Sequence, residues 1–303
     1  MISTVTGPLD PSAAGVTDAH QHIWIAPPAG SATGVPALCD RAAITAGLVS
    51  YRAAGGGSLL DCQPGGCGRD GRMLLTLSRA SETHIVACTG FHLPRYYPPD
   101  YWLWRASAEA ARAYFVGEIT VGLAETRDTE LTVRAGFIKI ACTSRLDETP
   151  AALWMAAATA SRETGAALLV HTDAGAGAEQ IAGRLLSEGV DAGRLVLCHV
   201  DKRPDIGLHR ELAQAGVLLE YDTFYRPKYQ PERHVWPLLE RMVADDLAGQ
   251  VAIGTDMADS ATWREYGPAR LPGEIVPRLR ALGCDPPTVR RLTGENIAHS
   301  LSL

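Results

Sequence analysis

The sequence predicts an α/β protein, a (β/α)8 TIM barrel that forms a single domain over residues 1–303. Three observations lead there. Eight short β-rich runs alternate with eight helical stretches along the chain. Several of the runs, such as AALLV and RLVLC, are almost wholly apolar, as parallel strands covered on both faces must be. No shift in composition marks a second domain, since the 30 Gly and 19 Pro are spread along the chain. A prior of ~150 residues per domain would suggest two units, but α/β barrels of about 250 residues or more stay undivided. An open doubly wound sheet is the alternative, and the GxGxxG expected after its first strand is absent.

Taken in order, the strands are read at 16–25, 58–62, 84–91, 136–142, 166–172, 195–200, 217–221 and 251–255. Each is followed by a stretch rich in Ala, Leu and Arg, at 41–54, 69–81, 106–116, 150–164, 178–188, 205–214, 231–247 and 273–282. An apolar fraction of 46% with 20% charged residues supplies a sizeable core under a polar surface. A net charge of −6 gives no electrostatic footprint for nucleic acid or an anionic membrane. No run reaches the ~18 apolar residues of a membrane span. The opening residues 1–15 have neither a basic region nor a continuous apolar run, so no signal peptide is read. The seven cysteines lack a CxxC pairing and are expected as free thiols in a cytoplasm. The partner expected is a small-molecule substrate, with a homodimer left open.

In a barrel of this kind the chemistry sits where strands run into their following loops. The first strand run carries His20-Gln21-His22, which puts two imidazoles on one side because side chains alternate with period two. The fourth carries Lys139, the fifth ends at His171, the sixth at His199, and the eighth runs into Asp256. Taken singly, each has an ordinary explanation: a hydrogen-bonded core histidine, or an aspartate capping a helix. Together they place four of nine histidines, one of three lysines and an aspartate at strand ends. Neutral imidazole and carboxylate suit zinc first, and manganese, cobalt or iron as well.

Lys139 sharpens the reading. A buried, unpaired ammonium costs several kcal/mol, and an ammonium cannot bind a cation. A carbamate made from carbon dioxide on that amine would offer two oxygens to bridge two divalent ions. His20, His22 and Asp256 would then hold one ion, and His171 and His199 the other. A water shared by both would be hydroxide near neutral pH and a ready nucleophile, with Asp256 placed to take its proton.

These residues sit in blocks that resemble the phosphotriesterase family of the amidohydrolase superfamily. The blocks span most of the chain: TVTGPLDPSAAGVTDAHQH, LLDCQPGGCGRD, LSRASETHIVACTGF, RAGFIKIA, LLVHTDAG, GRLVLCHVDKRPD and VAIGTDM. The resemblance implies a binuclear barrel with a carboxylated lysine, with His20, His22, Lys139, His171, His199 and Asp256 at the ligand positions. It implies hydrolysis of lactones or other esters, with phosphotriesters as promiscuous substrates. Two positions depart from the family pattern. Gln21 stands where Glu is usual, and a packing difference is expected rather than lost metal. His92 follows TGF where relatives carry an aromatic such as Tyr, and is a candidate substrate contact. Glu125, in the irregular connection 116–136, has no readable place.

Two rival readings stay open. A mononuclear, deaminase-like amidohydrolase would share the histidines and aspartate but would need no Lys139 and would use a Glu near His171. A metal-containing binding protein would keep the site without turnover. For substrate specificity, Arg226, Lys228 and Tyr229 cluster within four residues after the seventh strand, in a loop stiffened by Pro227 and Pro231. They suit an anionic phosphate or carboxylate, as on a sugar-derived lactone; the plain alternative is a solvated loop paired with Glu232. Trp263, after the eighth strand, would line the pocket or cover the helix layer. Lys202 is read as a product of composition bias, without a role.

Overall fold

Eight parallel strands stand side by side in chain order in the computed structural model, which describes residues 1–303. A hairpin of β1 (Ile2–Thr4) and β2 (Gly7–Leu9) precedes them. The barrel staves are β3 (Val16–Gln21), β4 (Gly56–Asp61), β5 (His84–Gly90), β6 (Phe137–Ala141), β7 (Leu168–His171), β8 (Leu195–Cys198), β9 (Leu218–Tyr221) and β10 (Val251–Ile253). Between them run α1 (Arg41–Ala53), α2 (Gly71–Ser81), α3 (Ala108–Thr120), α4 (Ala151–Thr164), α5 (Ala178–Ser187), α6 (Ile206–Gln214) and α7 (Val235–Ala244). After β10 come α8 (Ser260–Glu265), α9 (Val276–Ala281), α10 (Pro286–Arg290) and α11 (Asn296–Leu301). Asp40, Asp70, Asp205 and Asp259 each accept the first free N–H groups of α1, α2, α6 and α8, and so fix where those helices begin.

Alternation along the staves separates two apolar layers. Ile138 and Ile140 of β6 face the helices, while Phe137 faces the barrel interior with Leu169, Val196 and Cys198. Lys139 lies two residues beyond Phe137 and therefore shares its inward face. The lysine is thus buried because the strand's own period puts it there, above a floor of apolar side chains and thiols.

The closure between β10 and β3 rests on few bonds. His20 C=O accepts the N–H groups of Asp256 at 2.8 Å and Thr255 at 3.2 Å. Asp18 accepts the Thr255 N–H at 3.1 Å and its hydroxyl at 2.5 Å. Gln21 donates to Thr255 Oγ1 at 2.9 Å and accepts from the Met257 N–H at 3.0 Å. Gly254 makes the approach possible: a Cβ there would lie 2.5 Å from Glu220 Oε1 and 2.7 Å from His20 Cβ. Gly90 does the same between β5 and β6, where a Cβ would lie 1.9 Å from the Lys139 carbonyl oxygen.

Every strand run read from the sequence overlaps a stave, with shifted ends. The first ends at Gln21 and not at residue 25, because the Ile23 N–H turns to Asp61 Oδ1 at 2.7 Å. Ile25 instead exchanges two backbone hydrogen bonds with Leu38, pinching off the loop 26–37. The β1–β2 hairpin and the short helices α8, α10 and α11 were not foreseen. Glu125 finds its place beside Glu118, where both carboxylates grip the buried Arg69.

Gly254→Ala is expected to lower stability by about 1–3 kcal/mol through overpacking at the seam, read as a fall in Tm. An unchanged Tm would mean that β10 and β3 close without this approach.

Candidate metal centre

The barrel brings the six expected ligands to its C-terminal mouth, His199 and Asp256 by backbone exceptions. Lys139 and His171 are inward residues of β6 and β7. His199 follows the inward Cys198, so an extended backbone would turn it out. It has φ of 66° instead, a left-handed conformation costly for a residue with a Cβ, and this swings the imidazole inward. Asp256 is likewise left-handed, with φ of 47°. Ring centroids of His199 lie 4.6 Å from both His20 and His171.

The donor atoms converge. Asp256 Oδ1 lies 3.7 Å from His22 Nε2 and 3.9 Å from His20 Nε2. On the far side of each ring, Nδ1–H is held by an acceptor: His22 by Gln63 Oε1 at 2.8 Å, His20 by Glu220 Oε2 at 3.1 Å, and His199 by Asp222 Oδ2. Such outward bonds fix the tautomer and leave Nε2 as the free lone pair. Burial pushes His22 down to about 4 and holds His20, His171 and His199 well below the ordinary imidazole value. The rings are neutral, and neutral imidazoles with one carboxylate are the donor set a divalent transition ion takes. The chain therefore fits a metal at His20, His22 and Asp256. The neighbouring group of His20, His199, Glu220 and Asp222 is its outer layer, since there the carboxylates receive N–H groups.

Lys139 Nζ has one hydrogen-bond partner, His20 Nε2 at 3.0 Å, and no carboxylate partner. Burial disfavours its ammonium, but charge on neighbouring groups, Asp256 among them, holds the amine above the ordinary lysine value. Burial pushes the Cys62 thiol itself up to about 12, so at neutral pH that thiol is uncharged. Asp256 differs. Burial opposes its charge, yet His199, Arg226 and Lys202 hold its carboxyl below the ordinary range.

Arg226 reaches the site, with Nη2 on Asp256 Oδ2 at 2.9 Å and on the Asp256 carbonyl. Its Nε and Nη1 have no partner within the protein. Lys202, read from the sequence as a bystander, stands beside it, with Nζ 3.7 Å from Asp222 Oδ1 and 3.9 Å from Asp256 Oδ2. Lys202 also lies over the Tyr229 ring, at 5.6 Å, while the exposed Lys228 covers the same ring at 4.8 Å. Glu232 pairs with Arg278 and not with this loop. Trp263 is corrected: it is 3% exposed and packs on α1, its Nε1 turned to the Ala43 carbonyl, because Gly47 leaves room for the indole. It does not reach the cavity.

The cavity opens above the histidines. Gln63, Cys67 and His92 line one side; Ile25, Val35 and Pro36 supply an apolar wall, two of them from the loop 26–37. Gln21 is buried outside the donor set, bonded to Asp18 and Thr255. Gln63 escaped the sequence reading; its signal was its place directly after the second strand run, at the same level as the ligands.

A nearly closed parallel barrel whose neutral histidines and carboxylate converge under a mouth cavity provides a metal site open to a small molecule. The family model described as the phosphotriesterase family matches residues 1–299, and the chain belongs to that family of hydrolases acting on small molecules. The phosphotriesterase homology protein of Escherichia coli is 27% identical over 76% of this chain and 78% of its own length. A phospho-furanose lactonase of Mycoplasmopsis agalactiae is 26% identical over 76% of this chain and 69% of its own. The crystal structure of a lactonase from Listeria monocytogenes superposes with a TM-score of 0.89 at 22% identity, over 99% of this chain and 98% of that one.

Lys139→Ala should lower bound metal and remove most turnover while the barrel stays folded, whereas Asp256→Asn should keep part of the metal and lose turnover. Metal analysis beside circular dichroism checks both. Unchanged kcat in Lys139→Ala with full metal would remove the lysine from the centre.

Proposed function

We propose that the protein is a binuclear lactone or ester hydrolase whose natural substrate carries an anionic group. The convergence of His20, His22 and Asp256, each ring tied outward through Nδ1, is the observation that carries the first part. In this reading His20, His22 and Asp256 would hold one divalent ion, His171 and His199 would hold a second, and a carboxylated Lys139 would complete the ligand set. Zinc fits best, with manganese, cobalt or iron as substitutes. When bound, the pair of ions would acidify water into a nucleophile near neutral pH and polarise the substrate carbonyl.

The chain's own residues do the rest. Asp256 Oδ1 faces the histidines and takes the proton of the attacking water. Its Oδ2 is held by Arg226, which fixes the carboxylate's rotation and keeps it ionised. Neutral His22 and His20 offer lone pairs rather than charge. Residues of loop 26–37 narrow the mouth and exclude water from the carbonyl. A phosphotriester presents a similar electrophilic centre and would be a promiscuous substrate.

The anionic part rests on the corner where β8 and β9 end. Arg226 has unspent donors, Lys202 makes no hydrogen bond, and Tyr229 lies beneath it. With Lys228 further out, these groups suit a phosphate or carboxylate on a sugar-derived lactone. A relative named for phospho-furanose lactones supports the same reading.

Chelation should abolish activity, and zinc, manganese or cobalt should restore it, faster with bicarbonate because the lysine must be carboxylated first. Full activity in rigorously metal-free protein would end the reading. Tyr229→Phe and Arg226→Ala should each cost on the order of 1.5–3 kcal/mol in kcat/KM for an anionic lactone. Arg226→Ala will also slow a neutral lactone of equal size, since Asp256 loses its anchor. The ratio of the two substrates is therefore the deciding measurement, and an unchanged ratio in both variants would make the loop scaffold.

A further inference from the structure

His92 leaves the end of β5 and forms the cavity wall beside His171, with ring centroids 5.0 Å apart. Its Nδ1 accepts a hydrogen bond from the Leu93 backbone N–H at 2.7 Å. A backbone N–H can only donate. Nδ1 must therefore present its lone pair, and the ring's single proton must sit on Nε2. An imidazolium would oppose two N–H groups across that short contact, so the local backbone itself keeps the ring neutral.

The ring is also held in place. The His92 backbone N–H donates to the Tyr97 hydroxyl at 2.9 Å, and the Tyr96 ring meets the imidazole edge-on at 4.5 Å. Nε2 makes no hydrogen bond to any protein group, and the space it has is the cavity. A neutral ring in this position is a rigid N–H donor, buried except toward the place where substrate must lie.

We propose that His92 Nε2–H donates a hydrogen bond to the carbonyl oxygen of the bound ester or lactone. The bond strengthens as that oxygen becomes anionic. This rests on the ester-hydrolase reading above. As water oxygen bonds to the carbonyl carbon, the carbonyl π pair moves onto the oxygen, where the donor already points. When that pair returns, the bond to the alkoxy oxygen breaks, and the alkoxy oxygen takes up a proton originating from the water. His92 keeps its own proton throughout, because surrendering it would leave an imidazolate. It is a fixed donor and not a general acid, and a preorganised donor of this kind costs no reorganisation as charge develops.

Two measurements on the metal-loaded protein test it. Nitrogen NMR of histidine-labelled protein should show for His92 a neutral ring protonated at Nε2, with Nδ1 as acceptor, throughout the neutral pH range. A ring protonated at Nδ1, or doubly protonated, would overturn the proposal. His92→Phe keeps a flat ring without the donor and should lower kcat by ~10²–10³-fold, with KM little changed and metal content intact. His92→Gln, which can donate from its side-chain amide, should recover part of that loss. Unchanged kcat in His92→Phe would refute the donor role, and so would a loss matched by lost metal. A loss growing steeply with leaving-group basicity would place the bond on the alkoxy oxygen and equally overturn the proposal. If metal-loaded wild-type protein turns over no ester or lactone, the hydrolase reading falls and takes this one with it. That outcome is read before any variant is made and so is distinct from failure of His92.

Discussion

The seam between the last stave and the first decides the rest of the structure. His20 and His22 sit on β3, Asp256 just beyond β10, and their donor atoms meet only because these two ends are drawn together. A handful of side-chain bonds does this. Asp18 and Gln21 reach across to Thr255 and Met257, and burial pushes the Asp18 carboxyl up to about 7. Buried hydrogen bonds of this kind carry geometric specificity beyond their modest net energy, because each lost partner strands a desolvated group. Gln21 suits the place: its amide donates to Asp18 and Thr255 with one end and accepts backbone N–H groups with the other.

Much of this was legible in the chain itself. Eight staves announce themselves as apolar runs, since parallel strands covered on both faces admit few polar residues. The ligands announce themselves as exceptions to those runs. What escaped was whatever depends on contacts between distant segments. Lys202 lies three residues past His199 in a turn that no periodicity describes, and its meaning comes from Asp222 and Asp256, brought in by β9 and β10. Trp263 misled for the same reason. An aromatic residue after the last stave can turn to the mouth or to the helix layer, and only the gap at Gly47 decides.

Charge is arranged in shells around the centre. Innermost are neutral imidazoles and Asp256; behind the rings Glu220 and Asp222 receive the Nδ1–H groups of His20 and His199; on the open side, Arg226 and Lys202 face Asp256. Asp201 is pushed up to about 7 by burial and by Asp222, yet its Oδ2 still accepts three bonds that fix the start of the loop after β9. Each layer tempers the desolvation of the one inside it, which is how so many polar groups share a dry barrel end.

The loop 26–37 stands apart from that arrangement. It is anchored at its neck by the two Ile25–Leu38 backbone bonds, and it contributes Val35 and Pro36 to the cavity but no group to the ligand set. The molecule thus keeps its reactive centre and its fit to the substrate's apolar side on separate pieces of chain. Changes in length or sequence above that neck would reshape what enters without touching how bonds are broken. For a lineage of hydrolases, this makes the loop an exchangeable cassette: one inherited centre can be turned to new esters by rewriting a dozen surface residues.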